Sequence, residues 1–202
     1  MRANCKSIIL TFLQLMLLIC LVSCASTVPK DFVMLNTEKS EKIPMHAGLY
    51  IDPNIQKCRI TQITSVTKGR NYKVNFSVGD ALVSAIERTV KNIFQEVSRV
   101  DPTAKLEGHE YDIIVTPQLV HVKYITIEGF ISATWIVETV INWNIVSLDG
   151  KAIYSNTIKG VEEARGTGIG KITRSLQDQF QKAQEDIYSS GWWKKQWWKS
   201  GN

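Results

Sequence analysis

Two stretches of the chain carry apolar residues at the spacing of an amphipathic helix. The first begins at Val78, where apolar residues recur at steps of three and four positions. Ser77 and Asp80 have the spacing of a capping box, and Asp101-Pro102 closes the segment. The pattern predicts a surface helix with one buried face. Its apolar stripe consists of Leu82, Ile86, Val90, Ile93 and Val97, widened by Val83 and Phe94.

The second helical stretch follows a glycine-rich, charged loop, EEARGTGIG. Glycine terminates many helices because it adopts the left-handed conformation easily, so Gly191 predicts the end of this helix. Its apolar stripe consists of Ile169, Ile172, Leu176, Phe180, Ala183 and Ile187.

Elsewhere the apolar residues follow the period of a β-strand. AGLYIDP, which ends at Pro53, is a short strand bounded by a turn signal. CRITQITSV and NYKVNFSV, separated by KGR, predict a hairpin or two edge strands. EYDIIVTPQLVHVKYITI is rich in β-branched residues, and Pro117 makes it an edge strand or marks a bulge, because proline cannot donate to a ladder.

The clearest alternation runs from residue 131 to residue 145, which predicts a strand with one packed and one wet face. Asp149-Gly150 predicts a hairpin turn, and KAIYSNTIKGV returns antiparallel. The packed face consists of Ile131, Ala133, Trp135, Val137, Ile141, Trp143 and Ile145.

Two helix stripes and one apolar sheet face are buried together only if both helices lie on that face. We therefore expect an α+β fold. It is a two-layer sandwich, in which a mostly antiparallel, four-stranded sheet has two helices packed on one face. The expected order of elements is β, β, α, β, β, β, α.

The N-terminus has the parts of a secretory signal. Arg2 and Lys6 precede an apolar run, which ends in Leu21-Val22-Ser23-Cys24. The run is too short to cross a hydrocarbon core of about 30 Å. LVSC resembles the lipobox of bacterial lipoproteins. The alternatives are an ordinary secretory signal and an uncleaved anchor.

The lipobox resemblance implies that the signal is cut before Cys24, that the Cys24 sulfur receives a diacylglycerol and that the new amine is acylated. Two or three acyl chains hold a protein firmly in a bilayer, since each buried methylene contributes about 0.8 kcal/mol. In this family pattern an aspartate after the cysteine favours the inner membrane, and here that residue is Ala25. The resemblance implies an outer-membrane anchor with the domain facing the periplasm. No other cofactor is expected.

Charge argues against a nucleic-acid partner. The chain has 24 Lys and Arg against 19 Asp and Glu, but Arg2 and Lys6 leave with the signal. The remaining excess lies in Lys194, Lys195 and Lys199, so the rest of the mature chain is neutral overall. A protein that binds phosphate backbones needs a basic face on its folded domain.

These signals divide the chain into residues 1–23 as signal peptide, 24–46 as a lipidated flexible tether, 47–190 as a single domain and 191–202 as a tail. The mature chain keeps two cysteines, Cys24 and Cys58. With Cys24 lipidated, no disulfide is expected, and Cys58 is a buried thiol or pairs with another chain.

Over residues 47–190 the order of elements resembles that of small outer-membrane lipoproteins. These are typified by the lipopolysaccharide-assembly lipoprotein, the YajG family and the auxiliary lipoproteins of lipid-exporting ABC systems. VGDALVSAIERTVKNIF followed by YDIIVTPQLV is similar to the YajG pattern, in which a helix opening with Gly-Asp-x-Leu precedes an alternating strand. The resemblance brings no catalytic or ligand motif with it.

No residue pattern predicts catalysis or a metal site. GTGIG lacks the spacing of a phosphate-binding loop, and the carboxylate pairs Glu162-Glu163 and Glu185-Asp186 lie where solvated charge is ordinary. His121 is expected on the same side of its strand as Leu119 and Lys123, as a surface or satisfied histidine. The histidines, none at metal-ligand spacing from another, are His46, His109 and His121.

The tail, GWWKKQWWKSGN, is the most unusual segment. Indoles prefer the headgroup zone of a bilayer, where lysines meet anionic lipids. Tryptophans also dominate protein contacts and stack on sugars. The hypotheses are contact with a membrane, contact with a partner protein or glycan, and folding back onto the domain. The candidate contact residues are Trp192, Trp193, Trp197, Trp198, Lys194, Lys195 and Lys199.

The sequence as a whole favours a non-enzymatic accessory or assembly factor for an outer-membrane complex, with an envelope protein as partner. The alternative is a periplasmic carrier of lipid or glycan. A carrier needs an apolar cavity the size of an acyl chain, whereas an adaptor needs a filled core.

Overall fold

The computed structural model describes residues 26–27, 41–66, 70–100, 111–128, 133–165 and 169–197. The strands are β1 (Ser26–Thr27), β2 (Ile43–Leu49), β3 (Arg59–Val66), β4 (Arg70–Ser77), β5 (Phe94–Arg99), β6 (Ile113–Glu128), β7 (Ala133–Ser147) and β8 (Ala152–Arg165). The helices are α1 (Pro53–Gln56), α2 (Gly79–Ile93), α3 (Ile169–Ser189) and α4 (Trp192–Trp197). The fold is α+β, as the sequence predicts.

The main sheet has five strands in the order β5-β2-β6-β7-β8, one more than expected. β6, β7 and β8 are antiparallel, whereas β2 runs parallel to both of its neighbours. The predicted hairpin of β3 and β4 is confirmed, but it belongs to a separate sheet of order β1-β4-β3.

The fifth strand of the main sheet was predicted as helix. α2 ends at Ile93, and Phe94 begins β5, which pairs with β2 from Ile43↔Phe94 to Leu49↔Arg99. Phe94 is fully buried and Val97 packs against the core in the strand. The apolar pattern of the sequence continues past the end of α2 because β5 also buries apolar residues.

The predicted capping box is wrong. The residue before α2 is Val78, and no side chain caps the helix. Instead the end of α1 lies against it: a Cβ atom on Gly79 would be 1.9 Å from the Gln56 carbonyl oxygen. Asp80 accepts a 3.4 Å hydrogen bond from the Gln56 side chain. The helix start is thus fixed by tertiary packing.

The segment predicted as a tether contains two strands. β2 begins at Ile43, which is fully buried, before the expected domain boundary at residue 47. Nearer the N-terminus, Ser26 and Thr27 pair in parallel with Phe76 and Ser77 of β4. Within the predicted tether, residues 26–27 and 43–46 are therefore strand residues, and residues 24–25 and 28–40 lie outside the described part of the chain.

A bulge at Val120 changes which residues of β6 face the core. The register shifts between Leu119 and His121, and Val120 is 56% exposed. Leu119 lies opposite the buried Ile141, whereas His121 lies opposite Val140, on the other face. The prediction that His121 shares a face with Leu119 is wrong, because the extra residue reverses the alternation. The bulge predicted at Pro117 is not found there, because Pro117 lies in continuous register with Trp143. Among the described residues β2 pairs with β6 only as far as Val115, so Pro117 lies where this side of β6 is an edge, the other alternative.

The core lies between the main sheet and the helices α2 and α3. The indole of Trp143 on β7 meets the ring of Phe180 on α3 edge-on, with 6.1 Å between centroids. The alternation of β7 and the stripe of α3 are confirmed where side chains are described. The fully buried residues of these two elements include Val137, Ile141, Trp143, Ile145, Ile172, Leu176, Phe180, Ala183 and Ile187.

One polar contact brings α3 close to the sheet. The Ser175 hydroxyl donates to the Gly160 carbonyl at 3.1 Å and lies 3.2 Å from the Thr139 hydroxyl, and both serine and threonine are fully buried. A Cβ atom on Gly160 would be 2.2 Å from the Ser175 carbonyl oxygen. Only glycine lets the helix backbone approach β8 this closely.

We expect Gly160→Ala to lower the free energy of unfolding by about 2–3 kcal/mol, because the added methyl group pushes α3 away from β8. Thr157→Ala, on the exposed side of the same strand, should change it by less than about 0.5 kcal/mol. Urea denaturation followed by circular dichroism measures both. Equal stability of the two variants would contradict the close packing at Gly160.

Candidate functional site

The structure describes part of the predicted contact site. Cys24, Trp198 and Lys199 lie outside the described residues. Trp197 and Lys195 lie in α4, but their side chains are outside the described part. Trp192, Trp193 and Lys194 are described with their side chains, and they show how the tail leaves the domain.

Gly191 separates α3 from α4, as the sequence predicts. Its φ is 65°, a left-handed conformation that glycine adopts without strain. The Ser190 amide still donates to the Asp186 carbonyl at 3.0 Å, and the Lys194 amide donates to the Gly191 carbonyl at 3.1 Å. The chain therefore turns sharply and starts the new helix at Trp192.

Trp192 is a core residue and not a surface contact. It is 8% exposed, and its ring lies 6.4 Å from the ring of Phe94. Of the three hypotheses for the tail, this burial favours folding back onto the domain over contact with a membrane or partner. For this residue the structure shows the tail folded back onto the domain.

Trp193 and Lys194 lie at the boundary between core and solvent. The Trp193 indole N–H donates to the Tyr188 carbonyl at 3.3 Å, and the two rings lie 5.8 Å apart. The Lys194 ammonium is 5.4 Å from the centroid of the Trp193 ring. Trp193 is half-buried and Lys194 is exposed. The exposed surface here is thus a cation beside an aromatic ring, an arrangement that stabilises the cation.

The tail and the N-terminal strand lie at opposite ends of α2. Trp192 packs on Phe94, which directly follows the helix. Ser26 pairs with Phe76, three residues before the helix starts. A helix of 15 residues is about 22 Å long. Ser26 and Trp192 therefore contact the chain segments that adjoin the two ends of a helix of this length.

A charged triad on the outer face of the sheet was not predicted. His121 Nε2 lies 2.6 Å from Glu138 Oε1, and Lys159 Nζ pairs with the other oxygen of this carboxylate. The hydrogen bonds from Lys159 and then His121 lower the pKa of Glu138. The triad links β6, β7 and β8. Glu138 binds both His121 and Lys159, so the triad holds the three strands together.

A second polar network joins β8 to α3. Asp186 accepts hydrogen bonds from the Tyr154 hydroxyl and, at 2.9 Å, from the Asn156 amide. Burial, followed by the hydrogen bond to Asp186, raises the pKa of Tyr154. Asp186 was expected to be a solvated charge, but it holds the helix to the strand. Tyr154 and Asp186 are 32 positions apart, so no local pattern predicts the contact.

An open groove of about 410 Å³ lies next to this network, between β8 and α3. It is polar and charged, and it presents no pair of apolar walls. Its lining includes Thr157, Lys159, Lys182, Glu185, Asp186 and Ser189.

The described histidines, His46 and His121, and the thiol of Cys58 have ordinary surroundings. His46 Nε2 lies 3.0 Å from the Ser98 hydroxyl, His121 pairs with Glu138, and His109 lies outside the described residues. Cys58 is partly buried, which raises the pKa of its thiol. Within the described segments, no three His, Cys, Asp or Glu side chains come together as metal ligands, and no helix combines the length and apolarity needed to cross a membrane.

Comparison with solved structures identifies the fold. A protein of family DUF330 from Xanthomonas campestris matches 87% of this chain and 98% of its own, with a TM-score of 0.54 and 10% identity. A minor lipoprotein from Acinetobacter baumannii matches 74% of this chain and 95% of its own, with a TM-score of 0.42 and 9% identity. An uncharacterized lipoprotein B from Nitrosomonas europaea matches 77% and 88%, with a TM-score of 0.39 and 11% identity.

The similarity to the Xanthomonas protein shows a shared fold, and at 10% identity it shows the fold alone. No protein-family model and no curated protein sequence matches the chain. The chemistry of the site must therefore be argued from its own residues.

We expect Trp192→Ala to lower the free energy of unfolding by about 3 kcal/mol, because it empties a large buried site beside Phe94. Lys194→Ala removes an exposed side chain and should change stability by less than about 0.5 kcal/mol. Thermal and urea denaturation measure both variants. If Trp192→Ala is as stable as Lys194→Ala, the tail does not pack on the domain.

Proposed function

We propose that the chain is a lipid-anchored lipoprotein of the outer membrane that acts as a non-enzymatic accessory or assembly factor for an envelope complex. The observation that carries the proposal is the position of the chain's two ends. The segment beside Cys24 pairs with β4 at one end of α2, and the tail is anchored through Trp192 at the other.

The N-terminal pairing keeps the domain near the bilayer. Cys24 is two residues from Ser26, so covalent geometry holds it within about 7 Å of the β1–β4 pair. A diacylglycerol on this sulfur brings the β4 side of the domain to the lipid headgroups. The far end, with Lys194 and the residues that follow, then points into the periplasm.

This orientation favours a protein partner over a bilayer as the target of the tail. Trp192 fixes the start of α4, and the sequence after it supplies Trp197, Trp198, Lys195 and Lys199. Tryptophan is enriched at the centres of protein interfaces, and lysines select a partner with acidic groups. The partner we propose is an envelope protein with an acidic patch.

The alternative of a lipid carrier has less support. A carrier needs an internal apolar cavity, and in the described residues Trp143 and Phe180 fill the space between the sheet and α3. The groove beside β8 is open and charged. The carboxylates of Glu138 and Asp186 are held by structural partners, and the proposal gives neither of them a catalytic role.

The anchor is tested on the full chain produced in a Gram-negative host. We expect the mature protein to begin at Cys24, to carry the mass of a diacylglycerol and an acyl chain, and to sediment with the outer membrane. Cys24→Ser should leave the protein unprocessed, whereas Cys58→Ser should leave both mass and location unchanged. An unmodified Cys24 in the mature protein would overturn the proposal.

The orientation is tested with a photoreactive residue at Asn75 or at Lys194 in the full, lipidated chain. Both positions are exposed, the first on β4 and the second on α4. We expect lipid adducts at position 75 and protein adducts at position 194. A chain produced without residues 1–24, which has neither signal nor lipid, should give no lipid adducts at position 75. Lipid adducts at position 194 would instead mean that the tail lies on the bilayer.

A further inference from the structure

The outer edge of the main sheet has a short open segment. β8 is an edge strand, paired only with β7 among the described residues. Along an antiparallel strand the backbone N–H and C=O groups point alternately toward and away from the partner strand. The Val161 amide points away from β7, because it donates to Asp178 Oδ2 of α3 at 3.2 Å. The groups of Lys159, Thr157 and Ser155 therefore point outward as well.

Natural proteins protect open edges because such edges pair with other strands. Here the protection covers only part of β8. Asp178 caps the Val161 amide, so pairing cannot continue past this residue. Lys159 would be an edge-guarding charge, but its ammonium is drawn onto the outer face by Glu138. The segment from Ser155 to Lys159 remains open, and its three outward-facing residues are exposed.

The charges beside this segment change sign along α3. Asp178 lies level with Val161 and Asp186 lies level with Asn156, so α3 runs antiparallel to β8. Lys182 lies between Asp178 and Asp186 on the helix and is therefore nearest to Lys159, whereas Glu185 lies beside Asp186, near Asn156. The groove carries Lys159 and Lys182 at one end and Glu185 and Asp186 at the other. Lys182 also pairs with Asp178 of its own helix at 2.7 Å, so it can bridge to a second copy only while keeping this neighbour.

We infer that two copies of this chain pair edge to edge through antiparallel β8 strands, with the twofold axis at Thr157. In this register Thr157 faces Thr157 of the second copy, and Ser155 faces Lys159. The pairing uses only the outward groups that α3 leaves open, and it makes six hydrogen bonds between the copies.

The charge pattern selects a second copy over other extended segments. A twofold axis at Thr157 places the grooves of the two copies side by side, running in opposite directions. Lys182 of each copy then meets Glu185 and Asp186 of the other, so the surface is complementary to itself. A shift of the register to place Val161 opposite Ser155 is excluded by the cap from Asp178.

Membrane attachment would strengthen the pairing. If both copies are anchored in one leaflet as proposed, their effective concentration is raised and weak edge pairing is enough. The edge pairing itself does not need the anchor, so the two proposals fail separately. A dimer of a chain produced without residues 1–24 would support the pairing even if lipidation were disproved.

The first test is disulfide trapping in intact envelopes. In a Cys58→Ser background, Thr157→Cys should form a dimer of twice the mass on a non-reducing gel, because the twofold axis brings the two thiols together. Thr61→Cys, exposed on β3, is the matched control and should stay monomeric. A cross-link from position 157 to a different protein would overturn the assignment of the partner as a second copy.

The second test removes one outward-facing donor. Thr157→Pro loses an N–H group that does not take part in the β7–β8 ladder, so the fold should be retained, as circular dichroism can check. Sedimentation of the full chain in detergent should show a dimer for the original protein and a monomer for Thr157→Pro. Thr157→Val keeps the N–H group and should remain dimeric. A folded, dimeric Thr157→Pro variant would disprove the edge pairing.

The third test reverses the charges. Lys182→Glu should weaken the dimer about tenfold, and the double variant Lys182→Glu/Glu185→Lys should restore it, because the complementarity returns with opposite sign. Lys182→Gln controls for the loss of the local pair with Asp178. If the double variant is no tighter than Lys182→Glu, the proposed register is wrong.

Discussion

The burial of one face of the main sheet beneath α3 is the constraint on which the rest of the structure depends. It requires a helix backbone to approach a strand backbone, which the missing side chain of Gly160 allows. Ser175 and Thr139 then satisfy each other and the Gly160 carbonyl inside the interface. With the helix fixed at this depth, Asp178 and Asp186 reach the edge strand and Gly191 turns the tail back over the core.

Apolar periodicity in the sequence was enough to predict the fold class. The alternation of β7, the stripe of α3 and the turn at Gly150 are local patterns that the fold preserves. The boundary between α2 and β5 is different. Val97 fits a helix stripe and also packs in a strand, so periodicity alone could not place the end of the helix. The parallel pairing with β2 decides it, and that contact is remote in sequence.

The candidate site was predictable in composition but not in geometry. The concentration of tryptophans marks the tail as unusual, yet nothing in the sequence separates Trp192, which is buried, from Trp193, which is half-buried. The distinction arises because Gly191 turns the chain and Phe94 offers a surface to pack on. The contact between Glu138 and His121 could not be predicted either, because strict alternation along β6 assigns His121 to the wrong face of the sheet.

The bulge at Val120 divides β6 into two halves of opposite parity. Before it, odd-numbered residues such as Leu119 point inward; after it, even-numbered residues such as Val122 do so. The single additional residue reverses the alternation, so that apolar side chains face the core on both halves of a 16-residue strand. A redesign of the outer surface of this sheet must place polar residues at even-numbered positions of β6 before residue 120 and at odd-numbered positions after it. Otherwise it will place charges in the core.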